Sequence, residues 1–226
     1  MIHLQAIVLD FDGVIADTEP LHFEACRDVL APFGVTLTAE EYAASYVGLA
    51  DRIALANVGR AHGIEVDGAL LETLIARKAE VLRHGLSRTR PIYPGVADLL
   101  TRWSKKVPLA VASGALRSEI ELVLNAAGVA DTIRVVVAAD NGLRSKPAPD
   151  PYLKALALLE PHAGPLDASR TVAIEDSRFG IEAGRAAGMR TVALTTSFPR
   201  SDLAGADLVV NTLPDLTIDA LDALCA

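Results

Sequence analysis

Hydrophobic and polar positions change their spacing along the chain, and this change separates two regions of different predicted structure. After Pro94-Gly95, short aliphatic runs alternate with amphipathic segments, which is typical of the strands and helices of a parallel doubly wound sheet. An earlier run, Ile2–Leu9, is predicted to be the first strand of the same sheet. The later strands are predicted near Val107–Ala112, Arg134–Ala138, Thr171–Ile174 and Arg190–Leu194, with a weaker one at Asp207–Val210.

The segment between the first strand and Pro94 has apolar residues at helical spacing and no convincing strand pattern. We therefore expect an α/β core of residues 1–17 and 93–226, interrupted by a helical domain of residues 18–92. Four helices are predicted in that domain: they begin near Pro20, at a capping box opened by Thr38, near Ala50 and about Asp67, and the last one stops before Gly85.

Polar residues follow four of the hydrophobic runs at the point where each predicted strand ends. Because ligands bind outside the carboxyl ends of strands in an open parallel sheet, these side chains are expected to share one rim. Carboxylates, a hydroxyl and a lysine at one rim suit the binding of a divalent cation and the transfer of a phosphoryl group. The motifs are Asp10-Phe11-Asp12-Gly13, Ser113-Gly114, Ser145-Lys146-Pro147 and Glu175-Asp176.

The order of these motifs, from Asp-x-Asp through Ser and Lys-Pro to Glu-Asp, resembles the haloacid dehalogenase-like (HAD) phosphotransferases. The similarity runs from Ala6 to about Val210 and is greatest to the branch containing β-phosphoglucomutase and small sugar-phosphate and phosphoglycolate phosphatases. It implies a Rossmann-like HAD core, built on a doubly wound parallel sheet, with an inserted four-helix cap domain.

The resemblance also implies catalytic roles for the core motifs. Asp10 would be the nucleophile that becomes an aspartyl-phosphate, and Asp12 the general acid and base. Lys146 would stabilise the charge between Asp10 and the phosphoryl oxygens. Ser113 and Gly114, where a strand turns towards a helix, would bind the phosphate with hydroxyl and amide donors.

A cation is expected in the same site, because a carboxylate does not readily attack a phosphoryl dianion whose charge is not neutralised. Oxygen ligands favour a hard ion, and the expected cofactor is Mg2+. The resemblance implies that Asp10 and Asp176 bind it through their side chains and Asp12 through its backbone carbonyl. Glu175 is expected to act from the outer shell, through metal-bound water.

Three residues of the helical domain are candidate substrate contacts: His22, Arg52 and Lys78. The β-phosphoglucomutase branch has a functional histidine at the position of His22. It also has Gly-x-x-Arg where this chain has Gly48-Leu49-Ala50-Asp51-Arg52, so the arginine is displaced by one residue, or about 100° around a helix.

Composition limits the classes of partner. The formal net charge of −8 argues against a nucleic-acid or anionic-membrane surface, and no apolar run approaches the ~20 residues of a membrane span. Cys26 and Cys225 have no metal or redox spacing, and Met1-Ile2-His3-Leu4 leads straight into the first strand, so a cytoplasmic protein is expected. The family resemblance implies a monomer that acts on a small phosphorylated metabolite.

The favoured interpretation is a Mg2+-dependent phosphatase that hydrolyses a small phosphomonoester, such as a sugar phosphate. One alternative is a phosphosugar mutase of the β-phosphoglucomutase type, which uses the same aspartyl-phosphate and is favoured by Val14 at the position where many phosphatases have threonine. A remote alternative is a phospho-receiver signalling domain. Receivers, however, have their acidic pair before the phosphorylated aspartate and have no inserted helical domain.

Overall fold

The computed structural model describes residues 3–89 and 91–226. Within these residues, six parallel strands form one sheet. The strands are β1 (Ala6–Leu9), β2 (Leu109–Ala112), β3 (Ile133–Val137), β4 (Thr171–Glu175), β5 (Arg190–Leu194) and β6 (Leu208–Val210). Their order in the sheet is β3-β2-β1-β4-β5-β6.

The chain divides into two compact units, Met1–Asp17 with Pro91–Ala226 and Thr18–Arg90, here named the core unit and the helical unit. The domain limits drawn from the sequence, 17/18 and 92/93, stay a prediction. The helices are α1 (Glu19–Leu30), α2 (Ala39–Ser45), α3 (Asp51–Ala61) and α4 (Gly68–Arg88) in the helical unit, and α5 (Val96–Trp103), α6 (Arg117–Ala126), α7 (Asp150–Ala163), α8 (Arg178–Ala186) and α9 (Ile218–Leu224) in the core unit.

The strand order confirms the predicted doubly wound α/β fold and shows where its direction reverses. β1 lies at the centre, with β2 on one side and β4 on the other, and Leu9 is in register with Val111 and Ile174. The chain runs from β1 to β2 and β3 on one side and then crosses to β4, β5 and β6 on the other side, so the carboxyl ends of β1 and β4 flank the crevice at which such sheets bind ligands. All residues of β1, β2 and β4 are buried, as expected for strands covered on both faces.

The strand boundaries lie close to the predicted ones. β5 has the predicted limits, and β2 begins after Pro108, which has no N–H to donate to a neighbouring strand. Of the predicted first strand Ile2–Leu9, the structure has β1 from Ala6, and Ile2 lies outside the described residues.

The helical unit contains α1 to α4. At the capping box predicted at Thr38, which opens α2, the Thr38 hydroxyl accepts a hydrogen bond from Glu41 N at 3.1 Å. The predicted end of the last helix before Gly85 is wrong, because α4 continues to Arg88. Gly85 instead permits close packing, since a Cβ there would come within 3.2 Å of Leu21 Cδ2. In the described parts of the chain, no helix has the length and apolar composition needed to cross a membrane.

Candidate active site

Three carboxylates meet where β1 and β4 end. Asp10 follows β1 directly, its N–H donates to Ile174 O at 2.9 Å, and Glu175 and Asp176 follow Ile174. One oxygen from each of Asp10, Glu175 and Asp176 lies within 4.8 Å of the others. The pairing of the two strands therefore brings two motifs from opposite halves of the chain into one acidic cluster.

Lys146 reaches this cluster from the loop before α7. Its Nζ lies 3.0 Å from Asp10 Oδ2 and 2.5 Å from Glu175 Oε1. Burial lowers the pKa of Lys146, but the charges of Asp10 and Glu175 outweigh it, and the net pKa is raised. The lysine is therefore charged at neutral pH, and it balances only part of the negative charge around it.

Glu175 is 0% exposed, and both of its oxygens accept hydrogen bonds from the protein. Oε1 accepts from Lys146 Nζ and from the Tyr152 hydroxyl, each at 2.5 Å. Oε2 accepts from Asp176 N at 3.3 Å and from the Ser177 hydroxyl at 3.2 Å. Ser177 also caps α8 by accepting from Gly180 N at 3.1 Å. These four donors hold the Glu175 carboxylate in one orientation.

Asp176 is buried, and the Ser197 hydroxyl donates to its Oδ2. Burial, followed by the charges of Asp10 and Glu175, raises the pKa of Asp176 well above its usual value. Three carboxylates with one ammonium leave an excess of negative charge in a mostly buried site. Such an oxygen donor set fits a hard divalent cation.

Gly13 allows the turn after β1 to lie against Asp176. Its φ of +71° is in the left-handed region, and a Cβ at this position would overlap the Asp176 carboxylate and come 2.7 Å from Ser197 Oγ. The Gly13 carbonyl accepts from the Thr196 hydroxyl at 2.5 Å. The glycine of the Asp-x-Asp-Gly motif is thus required for space as well as for its backbone angle.

The other core candidates lie at strand ends as predicted from the sequence. Asp12 is half-buried in the turn after β1, where it forms an isolated bridge with Ala16. Ser113 follows β2; it is buried, and its Oγ accepts from Ala115 N at 3.1 Å. A Cβ on Gly114 would meet nothing within 4 Å, so its backbone borders open space.

Two of the three candidates in the helical unit lie together. Lys78 is 1% exposed, its Nζ is 3.0 Å from His22 Nδ1, and it forms an ion pair with Asp51. Burial and then the Lys78 charge lower the pKa of His22 to about 4. Arg52 instead forms an exposed ion pair with Glu72 at 2.5 Å.

The candidates predicted from the sequence leave out several residues of these networks, among them Tyr152, Ser197 and Asp51. Ser197 follows the end of β5 in the polar run Thr195-Thr196-Ser197, which the strand-end argument could have identified. Tyr152 and Asp51 are placed by their helices, and no local motif marks either of them.

Comparisons with known proteins identify the family of this chain. A family model described as haloacid dehalogenase-like hydrolase matches residues 7–194. The chain is 34% identical over 188 residues to fructose-1-phosphate phosphatase YqaB of Escherichia coli K12, which covers 82% of this chain and 94% of that protein. It is 28% identical over 223 residues to β-phosphoglucomutase of Bacillus subtilis, with 96% and 94% covered. It is also 30% identical to Suppressor of Quenching 1, a chloroplastic protein of Arabidopsis thaliana, but spans only 20% of that protein.

Solved structures have the same fold. CbbY from Rhodobacter sphaeroides in complex with phosphate has a TM-score of 0.79 at 27% identity, covering 92% of this chain and 93% of that chain. β-Phosphoglucomutase from Clostridium difficile has a TM-score of 0.83 at 22% identity, with 98% and 97% covered, which is a likeness of fold. Because the family model matches well over half of the sequence, the chain belongs to the haloacid dehalogenase-like hydrolases.

Proposed function

We propose that this protein is a Mg2+-dependent phosphatase that hydrolyses a small phosphomonoester, a sugar phosphate or similar metabolite, through an aspartyl-phosphate on Asp10. The observation that carries the proposal is the contact of Lys146 Nζ with Asp10 Oδ2 at 3.0 Å, beside the carboxylates of Glu175 and Asp176. A carboxylate next to a fixed ammonium, in a site that also suits a cation, is equipped to attack a phosphoryl group.

In the first half of the reaction, an Asp10 oxygen forms a bond to phosphorus, and the bond from phosphorus to the ester oxygen breaks. Phe11 N donates to Asp10 Oδ1 at 2.7 Å and Lys146 contacts Oδ2, so the carboxylate is held in one orientation. Asp12 gives its proton to the departing oxygen, which leaves as an alcohol.

In the second half, Asp12 takes a proton from water, and the resulting hydroxide oxygen bonds to phosphorus. The bond between phosphorus and Asp10 breaks, which frees inorganic phosphate and restores both aspartates. Ser113 and Gly114 would donate to the phosphoryl oxygens in both halves, and the ammonium of Lys146 would offset their charge.

Asp10 and Asp176, together with the backbone carbonyl of Asp12, would hold Mg2+, which supplies charge neutralisation for the phosphoryl group. Glu175 would act from outside the set of direct ligands, through metal-bound water, because its oxygens already accept hydrogen bonds from Lys146, Tyr152, Ser177 and Asp176 N.

The choice of hydrolase over mutase has support from the helical unit and from the relatives. A mutase needs a cation to hold the non-reacting phosphate of a bisphosphate. Lys78 is paired with Asp51 and Arg52 with Glu72, so each candidate cation is already matched by a carboxylate. The Escherichia coli relative is named as a fructose-1-phosphate phosphatase. The relative named β-phosphoglucomutase keeps the mutase as the second candidate.

Net charge supports a small-molecule substrate over nucleic acid or a membrane surface. We propose that the protein acts in the cytoplasm as a monomer. We also propose that His22, Arg52 and Lys78 contribute to recognition of the part of the substrate beyond its phosphate, since Arg52 and Lys78 are already paired with carboxylates.

The deciding experiment supplies β-glucose 1-phosphate, a trace of glucose 1,6-bisphosphate and Mg2+, and measures inorganic phosphate and glucose 6-phosphate together. A parallel phosphate-release screen covers other sugar phosphates, phosphoglycolate and nucleotides, with Asp10→Asn as the inactive control. Phosphate release without isomerisation supports the phosphatase. Rapid formation of glucose 6-phosphate with little free phosphate would establish the mutase instead.

A further inference from the structure

Tyr152 connects helix α7 to the candidate active site through a hydroxyl and a ring that the proposed reaction does not use. The residue is 0% exposed and packs in a core cluster with β1 residues Ala6 and Val8. Its hydroxyl donates to Glu175 Oε1 at 2.5 Å, and its ring centroid lies 5.1 Å from Lys146 Nζ. One side chain thus touches both an acidic and a basic group of the site.

The hydroxyl completes the set of donors around Glu175. A carboxylate has about four lone-pair positions, and Glu175 receives four protein donors, two on each oxygen. Lys146 and Tyr152 share Oε1. Without the hydroxyl, Lys146 would be the one donor left on Oε1 among the described residues, in surroundings shielded from water, and the attraction between Lys146 and Glu175 would increase.

Lys146 divides its contacts between Glu175 Oε1 at 2.5 Å and Asp10 Oδ2 at 3.0 Å. A stronger hold by Glu175 would draw the ammonium away from Asp10. The aromatic ring favours a cation near its face and limits the space into which Nζ can move. Tyr152 is therefore placed to influence how Lys146 divides its contacts between the two carboxylates.

We infer that Tyr152 is a positioning residue: by sharing Glu175 Oε1 it keeps the Lys146 ammonium directed at Asp10. The inference rests on the proposed phosphatase function and adds a residue that acts through Glu175 and Lys146, without touching substrate. It requires that loss of the hydroxyl slows the chemical step more than it weakens the binding of substrate or metal.

The test compares wild type with Tyr152→Phe, which removes the hydroxyl and retains the ring. For Tyr152→Phe, kcat is expected to fall about tenfold, which corresponds to the loss of one charge-assisted hydrogen bond. KM and the Mg2+ dissociation constant, measured by calorimetry, are expected to stay unchanged. Tyr46→Phe is the matched control, since the buried Tyr46 also donates its hydroxyl to a carboxylate, Glu41 Oε1 at 3.3 Å. It is expected to leave kcat unchanged.

A double-mutant cycle with Glu175→Gln separates positioning from a general loss of packing. If Tyr152 acts through Glu175, Tyr152→Phe has little further effect in the Glu175→Gln background. A wild-type kcat in Tyr152→Phe, an equal loss in both backgrounds, or a loss of Mg2+ affinity that matches the loss of kcat would overturn the inference. Absence of Asp10-dependent phosphate release in the wild type would instead refute the proposed function.

Discussion

The ammonium nitrogen of Lys146 lies 3.0 Å from Oδ2 of Asp10, in a site where both side chains are largely shielded from water. A charge pair in such surroundings is stronger than on a protein surface, because less solvent screens it. A phosphoryl group that approaches Asp10 therefore meets a cation already in position.

Replacement of Asp10 by asparagine is expected to lower phosphate release by at least about a thousandfold, because an amide is not a nucleophile. The fold is expected to persist, since the amide has nearly the same shape. Steady-state phosphate release with saturating Mg2+ measures the effect, and circular dichroism checks the fold. A variant that retains a tenth of the wild-type rate would exclude Asp10 as nucleophile.

For Asp12→Ala, the loss of activity is expected to depend on the leaving group. Release of a sugar alcohol requires protonation of its oxygen, whereas an activated aryl oxygen leaves with little help. The variant should therefore lose much more activity on a sugar phosphate than on an aryl phosphate such as p-nitrophenyl phosphate. Equal losses on both substrates would contradict the acid–base role.

Chelation of divalent ions is expected to abolish activity, and Mg2+ to restore it. Ca2+ should substitute poorly, because it is larger and accepts more ligands. It can therefore bind both oxygens of the Asp10 carboxylate and keep the nucleophile from attacking phosphorus. Mg2+ should also raise the melting temperature of wild type, because it relieves repulsion among Asp10, Glu175 and Asp176. In Asp176→Asn, Mg2+ should raise the melting temperature by a smaller amount. Activity that survives thorough chelation would rule out the metal site.

His22 is expected to make the protein less stable in acid. Burial and the neighbouring Lys78 lower its folded-state pKa from 6.5 to about 4. Between these values the unfolded chain binds a proton at His22 that the folded protein resists, so the free energy of unfolding falls as pH drops from 6.5 towards 4.

Urea unfolding at several pH values within that window measures the effect. His22→Gln should reduce the dependence of the free energy of unfolding on pH, while the same change at the solvent-exposed His162 serves as the control. Identical pH dependences for wild type and His22→Gln would show that His22 does not resist protonation in the folded protein.

Gly13→Ala is expected to reduce both stability and activity, because its Cβ would overlap the Asp176 carboxylate. Gly34→Ala is the matched control for backbone strain alone. Gly34 has a similar positive φ, +83°, and a Cβ there would meet nothing within 4 Å. The free energy of unfolding of Gly34→Ala should fall by roughly 1–2 kcal/mol. That of Gly13→Ala should fall further, and this variant should also bind Mg2+ more weakly. Equal losses of stability in the two variants would mean that the Asp176 carboxylate does not require the space left by the missing Cβ of Gly13.

The sequence by itself determined approximately where the core strands end and which polar groups follow them. Hydrophobic runs stop at Asp10, Ser113 and Glu175, and parallel strands have their carboxyl ends at one rim, so this convergence needs no knowledge of packing. The strand limits shifted by a few residues, because pairing with neighbours decides where a strand starts, as at Pro108.

Only the tertiary structure decided which groups touch one another within and beyond that rim. Tyr152 reaches Glu175, Ser197 reaches Asp176, and Asp51 pairs with Lys78, each through side chains on different elements of the fold. Such contacts depend on the rotation and depth at which helices and loops pack, which local periodicity does not encode. The same reason explains Gly85: its role in packing against Leu21 prevailed over its tendency to end a helix.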